Sequence, residues 1–217
     1  MRAAERLVTI FAGPPAIIHC HLGDPMKKLL LAGLVSVVIA LPVVALNKGD
    51  TAPMFSAKAS LAGKEFNYSL AEALKQGPVV VYFYPSAFTQ GCNIQAHTFA
   101  ENMDAFKAAK ASVIGVSLDS IARLNDFSAD PAYCAGKLPV ASDADGSIAK
   151  SYGVNVSAGR PGMQDSRGVA IDHGFADRLT FVVTKDGKVA STFGGRELPP
   201  DQNVQQALQV VKDLAAL

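Results

Sequence analysis

The chain has 217 residues, room for one medium domain and a short extension, and its formal net charge of +1 carries no electrostatic footprint for nucleic acid. Hydrophobic residues make up 49% and Trp is absent, and no internal repeat or low-complexity tract is visible, which excludes solenoid and biased-composition classes. Three cysteines, Cys20, Cys92 and Cys134, are an odd number and argue against a purely structural disulfide framework.

In chain order, Met26 and two lysines open an apolar run over residues 29–46. Pro42 and the small residues around Ala45 close it. A basic start, an apolar core and a small-residue end read as a secretory signal peptide over residues 26–45, although the run is also long enough for an uncleaved anchor. Residues 1–25 then read as a non-native or presequence extension, with Met26 as the expected start. His19, Cys20 and His21 could bind metal but read as a stray cluster in a discarded segment. The expected product is a periplasmic or otherwise exported domain, residues 46–217. It keeps only Cys92 and Cys134, in a compartment where a disulfide can persist.

Residues 47–53 read as a linker. Residues 54–59 and 64–67 read as a hairpin around Gly63, and Ser69 to Glu72 is a capping box that opens a short helix ended by Gly77 and Pro78. Residues 79–84 are β-branched and aromatic, the pattern of a buried strand, and Pro85 stops it. Ala96, Phe99, Met103 and Phe106 then recur at helical spacing up to about Lys110. Cys92 therefore lies at the mouth of a helix that follows a central strand, where unpaired N–H groups and the helix dipole favour a thiolate. A free thiol is only about 3% ionised at pH 7, so such help matters. Position alone leaves a reactive thiolate and a buried structural cysteine both open.

Residues 111–118 form a second central strand. The long helical crossover makes the pair parallel. A helix follows through Leu124 and Phe127, with Asp130 and Pro131 restarting or continuing it and Cys134 about one turn on. Residues 137–143 make a strand-like link, and residues 147–152 a short helix. Residues 154–176, rich in Gly, Ser and Asp, read as a long surface excursion. Residues 178–184 and 189–193 form a hairpin, and Pro199, Pro200 and Asp201 open a terminal helix with an apolar stripe of Val204, Leu208, Val211 and Leu214. This order suits an α/β fold, a central mixed sheet with helices on both faces.

Pro85, Thr89 and Cys92 stand as P-x-x-x-T-x-x-C between strand and helix. The motif resembles the active-site signature of the peroxiredoxins, thiol peroxidases on a thioredoxin-like fold. The chain is most similar to their bacterioferritin-comigratory (Q-type) group. Residues 49–53, the stretch from Leu138 to Val154, and the R-x-T-F-V-x-x-x-D-G-K run from Arg178 resemble further family segments. The glutamate usual three residues after the cysteine is Gln95 here, which keeps an acceptor oxygen, loses the charge and implies altered support for the active-site arginine.

The resemblance implies Cys92 as the peroxidatic nucleophile. Arg178, the Thr89 hydroxyl and backbone N–H groups would stabilise the charge that develops on peroxide, and Pro85 would shape and shield the turn. The sulfenic acid would then need a second thiol. Five residues after Cys92 the chain has His97, so Cys134 is the expected resolving cysteine, reached by local unwinding around Cys92. Neither cofactor nor metal is called for. The implied partners are a peroxide and a thioredoxin-like thiol reductant, with no nucleic acid, no membrane contact beyond the signal or anchor segment, and a monomer or dimer. His97 and His173 read as structural, and Arg160 and Arg167 match no family position. Two rival readings need different chemistry. A disulfide oxidoreductase wants Cys-x-x-Cys, and Cys92 to Gln95 has no second thiol. A copper-binding thioredoxin-like protein would have to rely on Cys92 and His173.

Overall fold

The structure, a computed structural model, describes residues 44–216. The expected extension over residues 1–25 lies outside the described residues, as does all of the expected signal segment except Val44 and Ala45. Among the described residues no helix is long and apolar enough to cross a membrane.

The fold is built around strand β3 (Val79–Phe83), whose five residues are all buried. Val-rich sequence suits a strand covered on both faces, because branched side chains pack well on a pleated surface. Strand β4 (Ser112–Ser117) pairs with it in parallel, and β5 (Val140–Ser142) extends that pairing. The hairpin β1 (Ser56–Leu61) and β2 (Lys64–Ser69) adds antiparallel to β5. On the other side, β8 (Leu179–Val183) and β9 (Val189–Gly194) add antiparallel to β3. The result is a mixed seven-stranded sheet in the order β2-β1-β5-β4-β3-β8-β9. The expected hairpins and parallel pair are all present.

Period-two alternation divides the strand side chains between two cores. Val80 and Tyr82 face helices α2 (Gln90–Ala108), α3 (Ile121–Ala129) and α5 (Pro200–Ala215), through Phe99, Phe106, Phe127 and Val204. Val79, Val81 and Phe83 face the short helices α1 (Leu70–Leu74) and α4 (Ser147–Ser151), through Leu70, Leu74 and Ala149. Each large side chain so buried contributes about 1.5–3 kcal/mol. The cap of α1 is half of the expected box: Ser69 accepts from the Glu72 N–H, while the Glu72 carboxylate pairs with Lys75.

One expectation is corrected. The helix around Cys134 does not form. Pro131 lacks an N–H and drives Asp130 to extended backbone (φ −62°, ψ 120°), so α3 stops at Ala129. Residues 131–137 are turns, with Ala135 (φ 51°) and Gly136 (φ 66°) both left-handed. The 154–176 stretch is mostly exposed, as a surface excursion requires, but it carries structure of its own. Strands β6 (Val156–Ser157) and β7 (Phe175–Ala176) pair at its base, and the Gln164–Ala170 bridge closes its tip. Asp165 and Ile171 are buried within it.

Candidate active site

Antiparallel register places the site. Phe83 pairs with Leu179, so Arg178 falls beside the point where the chain leaves β3 for α2. The Cys92 side chain, in the first turn of α2, is 2% exposed. Arg178 Nη2 donates to Cys92 Sγ at 3.3 Å, and Arg178 Nη1 donates to Gln95 Oε1. Cys92 and Gln95 are three residues apart on one helix face, so one planar guanidinium spans both. Gly91 leaves the necessary room: a Cβ there would sit 3.1 Å from Arg178 Nη2. Among the described residues Arg178 makes no ion pair with a carboxylate, so its charge faces the sulfur without a resident anion.

Pro85, Thr89 and Arg178 line a cleft of about 660 Å³. Thr89 is the N-cap residue of α2, but its hydroxyl neither caps the helix nor reaches the sulfur; it donates to the Ser86 carbonyl at 2.8 Å. The Thr89 proton is therefore not available to stabilise charge on peroxide as expected, and what its oxygen offers the cleft is acceptor capacity. Arg160 and Met163 of the 154–176 segment also line the cleft, although Arg160 matched no expected position.

Cys134 lies apart from the cleft, fully buried in the core cluster that also holds Cys92, Phe88 and Phe127. Both thiols are free. Burial pushes the Cys134 thiol far above its ordinary range, and Asp130 pushes it the same way, so this sulfur is held neutral. Tyr82 shares this core cluster; burial raises its hydroxyl pKa most, and Cys134 and then Cys92 add to that. Its ring fits because residue 115 is glycine, where a Cβ would stand 2.6 Å from the ring.

Sequence reasoning missed the polar knot behind the catalytic turn. Buried Asp119 accepts from the Ala87 N–H at 2.8 Å, the Ser86 hydroxyl at 2.9 Å and the Ser117 hydroxyl at 2.7 Å, and it pairs with Arg123 at 2.9 Å. Arg123 also donates to the Ala87 carbonyl and to Asp165. Phe88 takes a left-handed backbone (φ 60°), a strained state for a bulky residue. It persists because Ser166 donates twice to its carbonyl and Arg167 stacks over its ring at 3.2 Å. The signal available in sequence was only a scatter of polar residues far apart in the chain.

His173 belongs to this knot. Its Nε2 lies 2.8 Å from Asp119 Oδ1 and its Nδ1 2.7 Å from the Gly174 carbonyl, so both ring nitrogens face acceptors. Burial works to lower its pKa, but the bond and charge of Asp119 outweigh burial, and the net direction is up. Burial likewise acts to raise Asp119, and the His173 bond wins and lowers it. With both ring nitrogens engaged by Asp119 and the Gly174 carbonyl, His173 is not free to ligate a metal beside Cys92, and the copper reading is not favoured. His97 sits on the exposed flank of α2, 3.2 Å from Glu101.

A sulfur braced by a guanidinium at a helix mouth, on a mixed sheet of this order, defines a thiol-based redox enzyme of thioredoxin-like fold. Comparison with known proteins narrows the class. The profile of the AhpC/TSA family matches residues 48–192. The chain is similar to peroxiredoxin Bcp of Escherichia coli (strain K12), 31% identical over 148 residues, which is 68% of this chain and 85% of that protein. It is also 31% identical to the chloroplastic peroxiredoxin Q of Oryza sativa subsp. japonica over 172 residues, 77% of this chain and 68% of the relative. The crystal structure of peroxidoxin BcpB from Mycobacterium tuberculosis superposes with a TM-score of 0.64 at 28% identity, covering 78% of this chain and 98% of that one. The chain belongs to the AhpC/TSA family, the peroxiredoxins, and is a thiol-dependent peroxidase.

Proposed function

We propose that Cys92 is the peroxidatic sulfur and Cys134 the sulfur that resolves it. The 3.3 Å contact between Arg178 and Cys92 Sγ carries the first half of the reading. The Cys92 thiolate attacks one peroxide oxygen as the O–O bond breaks. The other oxygen leaves as water or alcohol once protonated, and Cys92 becomes a sulfenic acid. Arg178 and the N–H groups at the start of α2 oppose the developing negative charge, and Thr89 accepts from the peroxide proton. Cys134 then attacks the sulfenic sulfur, an S–S bond forms and water leaves. A dithiol reductant of thioredoxin type returns both thiols by disulfide exchange.

Because Cys134 is buried and neutral, resolution requires the first turn of α2 and the 131–137 turns to open locally, which exposes Cys134 and lets it ionise. The test is one peroxide equivalent added to reduced protein, followed by mass mapping. A Cys92–Cys134 bond supports the assignment; oxidised Cys92 with Cys134 left as a free thiol refutes it. Export is the second part of the proposal and rests on the basic and apolar pattern of residues 26–45. The mature product is expected to begin near residue 46, and N-terminal sequencing of the secreted protein that begins upstream of Met26 contradicts it.

A further inference from the structure

Asn203 stands in the first turn of α5, fully buried, in line with Ala207 and Val211 of the apolar face. A leucine there would fit the pattern, and a buried amide is costly unless hydrogen-bonded. Its oxygen is used twice: Gln95 Nε2 donates to it at 3.0 Å and the Thr180 hydroxyl at 2.7 Å. Its Nδ2 has no partner. The asparagine thus keeps a polar cost for the sake of one oxygen, and that oxygen decides how Gln95 lies. With Nε2 drawn to Asn203, Gln95 Oε1 is the atom left to face Arg178, where an N–H would repel the guanidinium.

We infer that Asn203, supported by Thr180, is a positioning residue of the peroxidase: by fixing the Gln95 amide it holds the Arg178 guanidinium against Cys92 with neutral groups only. The neutrality has a purpose. A carboxylate in place of the Gln95 amide would share the Arg178 charge, whereas the amide orients the guanidinium and leaves its charge to the sulfur. The chain Thr180–Asn203–Gln95–Arg178–Cys92 runs from β8 through α5 to α2, so the packing of the terminal helix sets the reactivity of the site. The inference rests on Cys92 as the reacting sulfur.

The test compares Asn203→Leu, Asn203→Asp and Thr180→Val with the wild-type chain. Cys92 modification is read by rapid quench and mass mapping, first with hydrogen peroxide and then with iodoacetamide across pH. Asn203→Leu is expected to slow Cys92 oxidation about tenfold and to move the rise of the alkylation profile to higher pH. Its thermal midpoint should fall, because Gln95 Nε2 and the Thr180 hydroxyl lose their shared buried acceptor, so the readouts that decide are the oxidation rate and the alkylation profile. Asn203→Asp keeps the accepting oxygen and is expected to recover the rate to within about threefold. Wild-type rate and profile in Asn203→Leu overturns the inference, as does an equal loss in Asn203→Asp. If Asn203→Leu does not fold, Thr180→Val carries the test, with a smaller slowing expected and an unchanged rate overturning it. Iodoacetamide needs no peroxide, so failure of the relay is distinguishable from failure of the peroxidase assignment.

Discussion

Removing the Arg178 charge is the perturbation whose size the geometry fixes best. Two unit charges 3.3 Å apart interact by about 1.3 kcal/mol in bulk water and by about 5 kcal/mol at an effective dielectric of about 20. The half-buried guanidinium lies between these limits, and a hydrogen bond to a charged group is worth about 1.5–3 kcal/mol. A loss near 3 kcal/mol corresponds to about two orders of magnitude in rate. Arg178→Gln is therefore expected to slow Cys92 oxidation about 100-fold. Arg178→Lys keeps the charge but cannot span Sγ and Gln95 Oε1 with one planar fork, and should recover about tenfold of that loss. The chain has no Trp to report the reaction by fluorescence, so the assay is rapid-quench alkylation with mass detection. An Arg178→Gln protein within about threefold of wild type would mean that the charge is not what activates the sulfur, and the electrostatic argument would fail.

The knot and the helix mouth give further expectations. Gly91→Ala sets a Cβ 3.1 Å from Arg178 Nη2, so the guanidinium must shift by a few tenths of an ångström; a loss of about fivefold in the same assay is expected, with the thermal midpoint nearly unchanged. His173→Gln removes the imidazole that lies 2.8 Å from buried Asp119 and should cost about 2 kcal/mol in urea unfolding. The pH dependence has a definite sign. The His173 pKa is raised, so its contribution is complete below the ordinary value of 6.5 and is lost as pH rises through the folded value. The Asp119 pKa is lowered, so its contribution is present above its ordinary 3.8 and is lost as pH falls through the folded value. Wild-type stability should therefore decline above pH 6.5, and His173→Gln should flatten that decline; an unchanged slope contradicts the assigned bond.

The sheet was legible because its signals are local. A run of Val and aromatic residues has few fates besides a strand covered on both faces, and the spacing of Ala96, Phe99, Met103 and Phe106 is written within one helix. Cys92 and Arg178 could be placed because each sits where an element begins. The turns around Cys134 were misread because Pro131 can restart a helix or break it, and only the left-handed Ala135 and Gly136 decide. Thr89 was assigned by position, yet its hydroxyl chose the nearer Ser86 carbonyl. Asp119, Arg123, Asp165 and His173 meet only after three separate segments fold together, so no periodicity announces them. Asn203 was the exception that could have been seen, a polar residue standing in an apolar stripe.

The central claim is that the sulfur held by Arg178 is the one that meets peroxide. Substoichiometric hydrogen peroxide added to reduced Cys134→Ser protein, with a cyclic diketone to trap sulfenic acid and peptide mapping by mass, tests it most directly. The account predicts trapped oxygen transfer at Cys92 alone, abolished when Cys92 is alkylated beforehand. Peroxide consumed with Cys92 left as a free thiol would contradict it.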